Sequence, residues 1–213
     1  VAFFANSKMA DLSINLVPTT DIEAVNGMLA LIGEAPVSNI LDTGSSDVNL
    51  ATQCIRNVSR SFQSRGWSFN VDSEMPMVRD SSGNLNVPSN AIVAAISKSQ
   101  GRNGVQRGAR MWDLDNFTFA WDSDLNMDFV WFMAFNDLPE HARYHIYSSA
   151  ALLYARSQMC TPIIVQNAQQ EEARARTIFK QVEHRIAPQN VYRSGTLALD
   201  LLREPNYVYI PGR

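Results

Sequence analysis

Asp42-Thr43-Gly44-Ser45 spells the signature with which aspartic proteases activate a water. That chemistry needs two carboxylates sharing one proton. The chain carries one copy of the signature, so a protease would have to be a dimer with one Asp42 from each subunit. Its strand-built frame is missing from the local pattern, because strong helix signals flank Asp42 on both sides. The alternative is a turn, with Asp42 starting it and Ser45 or Ser46 capping the next helix.

Three other groups have suggestive spacing. His141 and His145 stand four apart on a helical pattern and could present two metal ligands to one side. Glu140 precedes the pair and Arg143 lies inside it, which departs from the His-Glu-x-x-His arrangement of zinc hydrolases. Asp122, Asp124, Asn126 and Asp128 alternate like a calcium loop, but Met127 replaces the glycine and Met133 the closing glutamate. Gly101, Gly104 and Gly108 interleave with Arg102, Arg107 and Arg110. No lysine-serine pair follows, so a phosphate-cradling nucleotide loop is excluded. A solvated hairpin and a basic loop touching DNA phosphates or an acidic partner both remain open. No metal or cofactor is expected, and no catalytic residue. An enzyme alternative stands beside this: the Asp42 protease, or a glycan hydrolase using a carboxylate pair from the acid-rich central region.

The elements that would position these groups are legible from caps and periodicity. Thr20-Asp21-Ile22-Glu23 is a capping box, followed by Ile22, Val25, Leu29 and Ile32 at helical spacing. Gly33 supplies a left-handed stop and Pro36 forbids continuation. Val48, Ala51, Ile55, Val58 and Phe62 mark a second helix, ended by Gly66. Trp67, Phe69 and Val71 then alternate with polar residues, which predicts a half-buried strand. Turn signals separate short apolar runs from Ala91, Phe117 and Met127, which predict further antiparallel strands. Leu138-Pro139-Glu140 opens a third helix with Ala142, Ile146, Ala150 and Leu153 inward. Thr161-Pro162 opens a fourth, with Val165, Ala168, Ala175, Ile178, Val182 and Ile186 inward, Glu172 and Arg176 paired on its wet side, and Pro188 as its end.

The expected class is α+β: a four-helix bundle (19–66 and 137–187) with an inserted antiparallel β domain (67–136), an N-terminal arm (1–18) and an extended C-terminal arm (188–213). In the last arm, Tyr192, Tyr207, Tyr209 and Ile210 are apolar residues without a core of their own, which marks them as partner anchors. The 213 residues carry 18 basic and 21 acidic side chains, a net charge of −3, which argues against a generic basic nucleic-acid binder. Only Lys8, Lys98 and Lys180 are lysines; the arginine bias suits interfaces. Cys54 and Cys160 fall in apolar helical patterns and read as free thiols. No apolar run is long enough to span a membrane.

Three segments, "AVNGMLALIGEAPVS" (Ala24 to Ser38), "SRSFQSRGWSFN" (Ser59 to Asn70) and "NDLPEHARYHIYSSAALLYARS" (Asn136 to Ser157), resemble in order and spacing the tail tubular protein A family of short-tailed bacteriophages. The resemblance covers about residues 19–187 and is weakest over 75–128. It implies a virion protein made in the host cytoplasm: a dodecameric adaptor or gatekeeper ring between portal and nozzle, through whose channel the genomic DNA passes without sequence-specific binding. Arg56, Arg60, Arg143, Arg174 and Arg185 are candidate contacts between ring subunits, and Arg102, Arg107 and Arg110 candidate contacts to DNA or a partner. Gly33, Pro36, Gly66, Trp67 and Phe69 are assigned structural roles, with Trp67 and Phe69 pinning the sheet to the helices.

Overall fold

A computed structural model of the chain describes residues 19–41 and 44–191, with 187–191 as backbone only. Two helices, α1 (Asp21–Leu31) and α2 (Ser46–Gln63), precede five strands: β1 (Val71–Met77), β2 (Ala91–Ile96), β3 (Gly104–Arg107), β4 (Arg110–Asp113) and β5 (Leu125–Trp131). Two more helices follow, α3 (Glu140–Ser157) and α4 (Pro162–Val191). The class is α+β, with antiparallel sheets between helix pairs.

The capping box on α1 forms in full, Thr20 and Glu23 each bonding the other's backbone N–H. Gly33, at φ +78°, takes the left-handed position just beyond the helix. Pro36 follows in the exposed connection. Ser45 is the N-cap of α2 but its hydroxyl makes no cap bond, contrary to the capping role expected of it.

The helices pack around α3, which touches α1, α2 and α4. Their shared core holds Met28, Leu29, Ile55, Ile146, Tyr154 and Phe179. Two expected stripes are corrected. On α3 the inward position is Tyr154, fully buried, while Leu153 is 40% exposed. On α4 the buried residues are Glu172, Ala175, Phe179 and Glu183, so Glu172 is not on a wet face. The helix also runs through Pro188 to Val191 instead of stopping there. Proline's fixed φ suits a helix, and in the last turns it removes a single backbone bond.

Strands β1, β5 and β2 form one antiparallel sheet in that order, and β3 and β4 form a separate hairpin. Central β5 is buried over a continuous run, as a strand covered on both sides must be. A second core of Leu85, Met111, Trp121, Met127 and Phe129 lies between sheet and hairpin. Two strand expectations fail. Trp67 to Asn70 is a turn, closed by Asn70 N–H to the Trp67 carbonyl at 3.0 Å, and β1 begins only at Val71. The apolar run from Phe117 makes isolated bridges, Thr118 to Asp113 and Ala120 to Asn84, because Phe117 sits at φ +54° and breaks the extended path. Among the described residues, no helix is long and apolar enough to cross a membrane. Cys54 and Cys160 are free, and burial pushes the Cys54 thiol up.

Candidate functional site

The three sequence motifs resolve into polar clamps on the fold. In the first, the Asn26 amide accepts from the Val37 N–H at 2.8 Å and donates to its carbonyl at 3.0 Å, which holds the chain after α1. In the second, the buried amides of Gln63 and Asn70 join α2 to the end of β5, the central strand. Gln63 exchanges bonds with Met133, and Asn70 donates to the carbonyls of Gln63 and Trp131. Gly66, at φ +71°, makes the reversal between them. The third ties the start of α3 to the start of α1. Glu140 accepts from Thr19, Asn136 accepts from the Asp21 N–H, and the buried Arg143 donates to the carbonyls of Leu138, Asn136 and Thr19. Arg143 is therefore engaged within the subunit. Arg56, Arg60, Arg174 and Arg185 are exposed.

Trp67 and Phe69 both pack on the helical core. Trp67 stacks on Phe62 with ring centroids 5.1 Å apart, meets Phe179 edge-on at 4.7 Å, and donates from Nε1 to the Phe62 carbonyl at 2.7 Å. Around these rings lies an open cleft of about 570 Å³ between α2, α3 and α4. Phe62, Trp67, His145 and Phe179 line it as rings, Val58 and Leu153 add apolar walls, and Arg65, Arg176 and Lys180 border it. Sequence reasoning missed this cleft. Phe179 was its one available signal, an aromatic three residues beyond Arg176.

His141 and His145 come together on Phe179. Both rings stack on it, at 5.4 and 5.6 Å. His141 also lies 3.4 Å from Glu183, which accepts from the Ser68 hydroxyl and N–H. Burial holds the His145 pKa below the usual imidazole range, with Arg176 and Arg65 adding to the effect and Glu172 opposing it. His184 is exposed. No group of three or more potential metal ligands exists among the described residues.

The acidic run is dispersed. Asp122 pairs with Arg102 at 3.2 Å, and Asp124 lies 3.9 Å from Arg79. Asp128 is buried in β5, where it accepts the Glu74 N–H at the β1 bulge. Glu74 in turn accepts from Ser97, Ser99 and Asn126. These carboxylates hold strands together.

The arginine-glycine segment is the β3–β4 hairpin, turning at Gly108. Arg102 does not face outward for a partner: it bridges the buried Asp113 at 3.0 Å and Asp122. Arg107 lies over the Trp112 ring at 4.5 Å and Arg110 over Phe119 at 4.2 Å, with both guanidinium-bearing residues exposed. Beside them the Leu114–Thr118 loop presents Phe117, 75% exposed.

Asp113 gives a pH test. Burial opposes its charge, but bonds from the Asn116 side chain and backbone, the Asp115 N–H and Arg102 outweigh it and hold the pKa at about 2. An unfolded aspartate titrates near ~3.9. The ionised group therefore stabilises the fold above that value, and the contribution is lost as pH falls towards 2. Thermal melts between pH 5 and 2 are expected to fall more steeply for wild type than for Asp113→Asn. Parallel curves would show that Asp113 is not held this way.

Asp42, Thr43, Tyr192, Tyr207, Tyr209 and Ile210 lie outside the described residues. Gly44, at φ +58°, and Ser45 lie in the connection between α1 and α2.

Buried amides thus clamp the helices to the sheet, Arg143 ties α3 to α1, and the carboxylates and histidines described above are engaged in packing and pairing. The profile of the tail tubular protein family matches residues 22–189. The chain belongs to that family and is a structural component of a phage tail. The tail tubular protein A of Klebsiella phage KP34 is 30% identical over 122 residues, which is 57% of this chain and 64% of the relative. The chain thus covers under two-thirds of that relative's length.

Proposed function

We propose that the protein is the adaptor, or gatekeeper, of a short tail: a dodecameric ring of identical subunits joining portal to nozzle and lining the channel through which genomic DNA leaves. The observation that carries this reading is the family match, which runs through both helix pairs and the intervening sheet. The helices, with α4 running to Val191, form one bundle, and residues 67–136 an inserted β domain. Arg107 and Arg110 remain the candidates for contact with DNA or a partner, while Arg102 has its acids at home.

Tyr192, Tyr207, Tyr209 and Ile210 are proposed as portal anchors, aromatic residues being common at interface centres. A chain ending at Gln189 is expected to keep its helical circular dichroism and bind isolated portal far more weakly. A truncated chain with full portal affinity would remove the arm from the interface.

A further inference from the structure

Two features of the surface fit one another. Phe117 is 75% exposed and has φ +54°, a backbone region that L-residues enter at a cost of roughly 1–2 kcal/mol. Leu114 beside it is 41% exposed. The folded subunit gains little burial from an aromatic held outward in this way. Asp115 is the carboxylate of the loop itself; of the neighbouring acids, Asp113 and Asp122 are bridged by Arg102 and Asp124 lies by Arg79. Asp115 is exposed, and the Asp122 and Asp124 side chains are 70% and 56% exposed.

The cleft between α2, α3 and α4 has the opposite character. It is concave, floored by the Phe62, Trp67 and Phe179 rings, walled by Val58 and the half-exposed Leu153, and rimmed by Arg65 and Lys180. Its third cation, Arg176, is already paired with Glu172 at 2.6 Å. An aromatic-lined hollow with Arg65 and Lys180 at its edge suits an aromatic side chain with one carboxylate close by, as Phe117 has in Asp115.

We propose that the Leu114–Thr118 loop of one copy seats Phe117 in this cleft of the next copy, with Asp115 toward Arg65 and Lys180. The inference rests on the reading that the chain assembles with itself. Knob and hollow are different surfaces of the same chain, so the contact is head-to-tail and propagates from copy to copy, closing into a ring when the rotation permits. The C-terminal segment with Tyr207, Tyr209 and Ile210 is the competing occupant, since it too offers aromatic residues.

One residue distinguishes the occupants. Leu153 replaced by the photo-crosslinker p-benzoylphenylalanine should, in the full-length assembled protein, capture a peptide containing residues 114–118. Mixing light and isotope-labelled chains should show that the adduct joins two copies. Capture of residues 192–213, or adducts within one chain only, overturns the proposal. The exposed-site variants Phe117→Ser and Leu153→Asp give an independent check by sedimentation. Each alone should be monomeric at concentrations where wild type assembles, and a mixture should form 1:1 dimers, because each variant retains one good surface. Either variant assembling to wild-type size overturns the contact and leaves self-assembly standing. A wild type that stays monomeric removes self-assembly, and the contact with it.

Discussion

Phe179→Ala is expected to lower unfolding stability by about 3–5 kcal/mol, the range for deleting a large core aromatic. The ring is 1% exposed. It is met edge-on by Phe62 and Trp67 and stacked against by His141 and His145. Its removal joins the helical core to the cleft and lets water reach His145. That imidazole is held neutral chiefly by burial, so its pKa should rise toward the ordinary value near ~6.5 in the variant. The wild-type sign follows from the depressed value: the neutral folded imidazole loses stability as pH falls below the unfolded pKa, where the unfolded chain takes up the proton. Denaturant melts give the stability, and NMR titration of the His145 ring gives the pKa. A variant within about 1 kcal/mol of wild type would show that α4 is not anchored through this ring.

Arg143→Ala is expected to cost about 3 kcal/mol or more. The guanidinium donates to three carbonyls on two chain segments: Leu138 and Asn136 just before α3, and Thr19 just before α1. Truncation leaves those acceptors without their donor, at roughly 1–3 kcal/mol for each that stays buried. Water reaching Thr19 limits the total. Lysine has one donor head in place of a planar fork, so Arg143→Lys should recover only part of the loss. Full recovery in Arg143→Lys would mean that charge, not the fork, matters at this site.

Helix ends are readable because their chemistry is local: Thr20 with Glu23 starts α1, and Gly33 and Gly66 lie just beyond α1 and α2. The inward side of α4 is not: the Glu172–Arg176 pair is legible at i,i+4 but its burial is not, and Ser68, the partner of Glu183, lies on a distant segment. Apolar periodicity cannot register a buried carboxylate. The junction motif was visible, but its work is done by Gln63 and Asn70, polar residues that hydropathy sends to the surface. Strand alternation at Trp67, Phe69 and Val71 misled for a related reason. Both aromatics turn toward the helices because Asn70 closes a turn beneath them. The hairpin of β3 and β4 is one of the two readings open for the glycine-arginine segment, whereas the bridge from Arg102 to Asp113 and Asp122 is not legible because those partners lie too far along the chain. Family motifs carried the class of protein, whereas the cleft required α2, α3 and α4 to be brought together.

In the proposed function identical subunits build a ring, and electron microscopy of the purified full-length protein examines this without an intermediary. Closed rings of uniform diameter, with twelve subunits around a central channel, are expected. A field of separate single subunits across the concentration range, or open filaments without closure, would contradict the proposed ring.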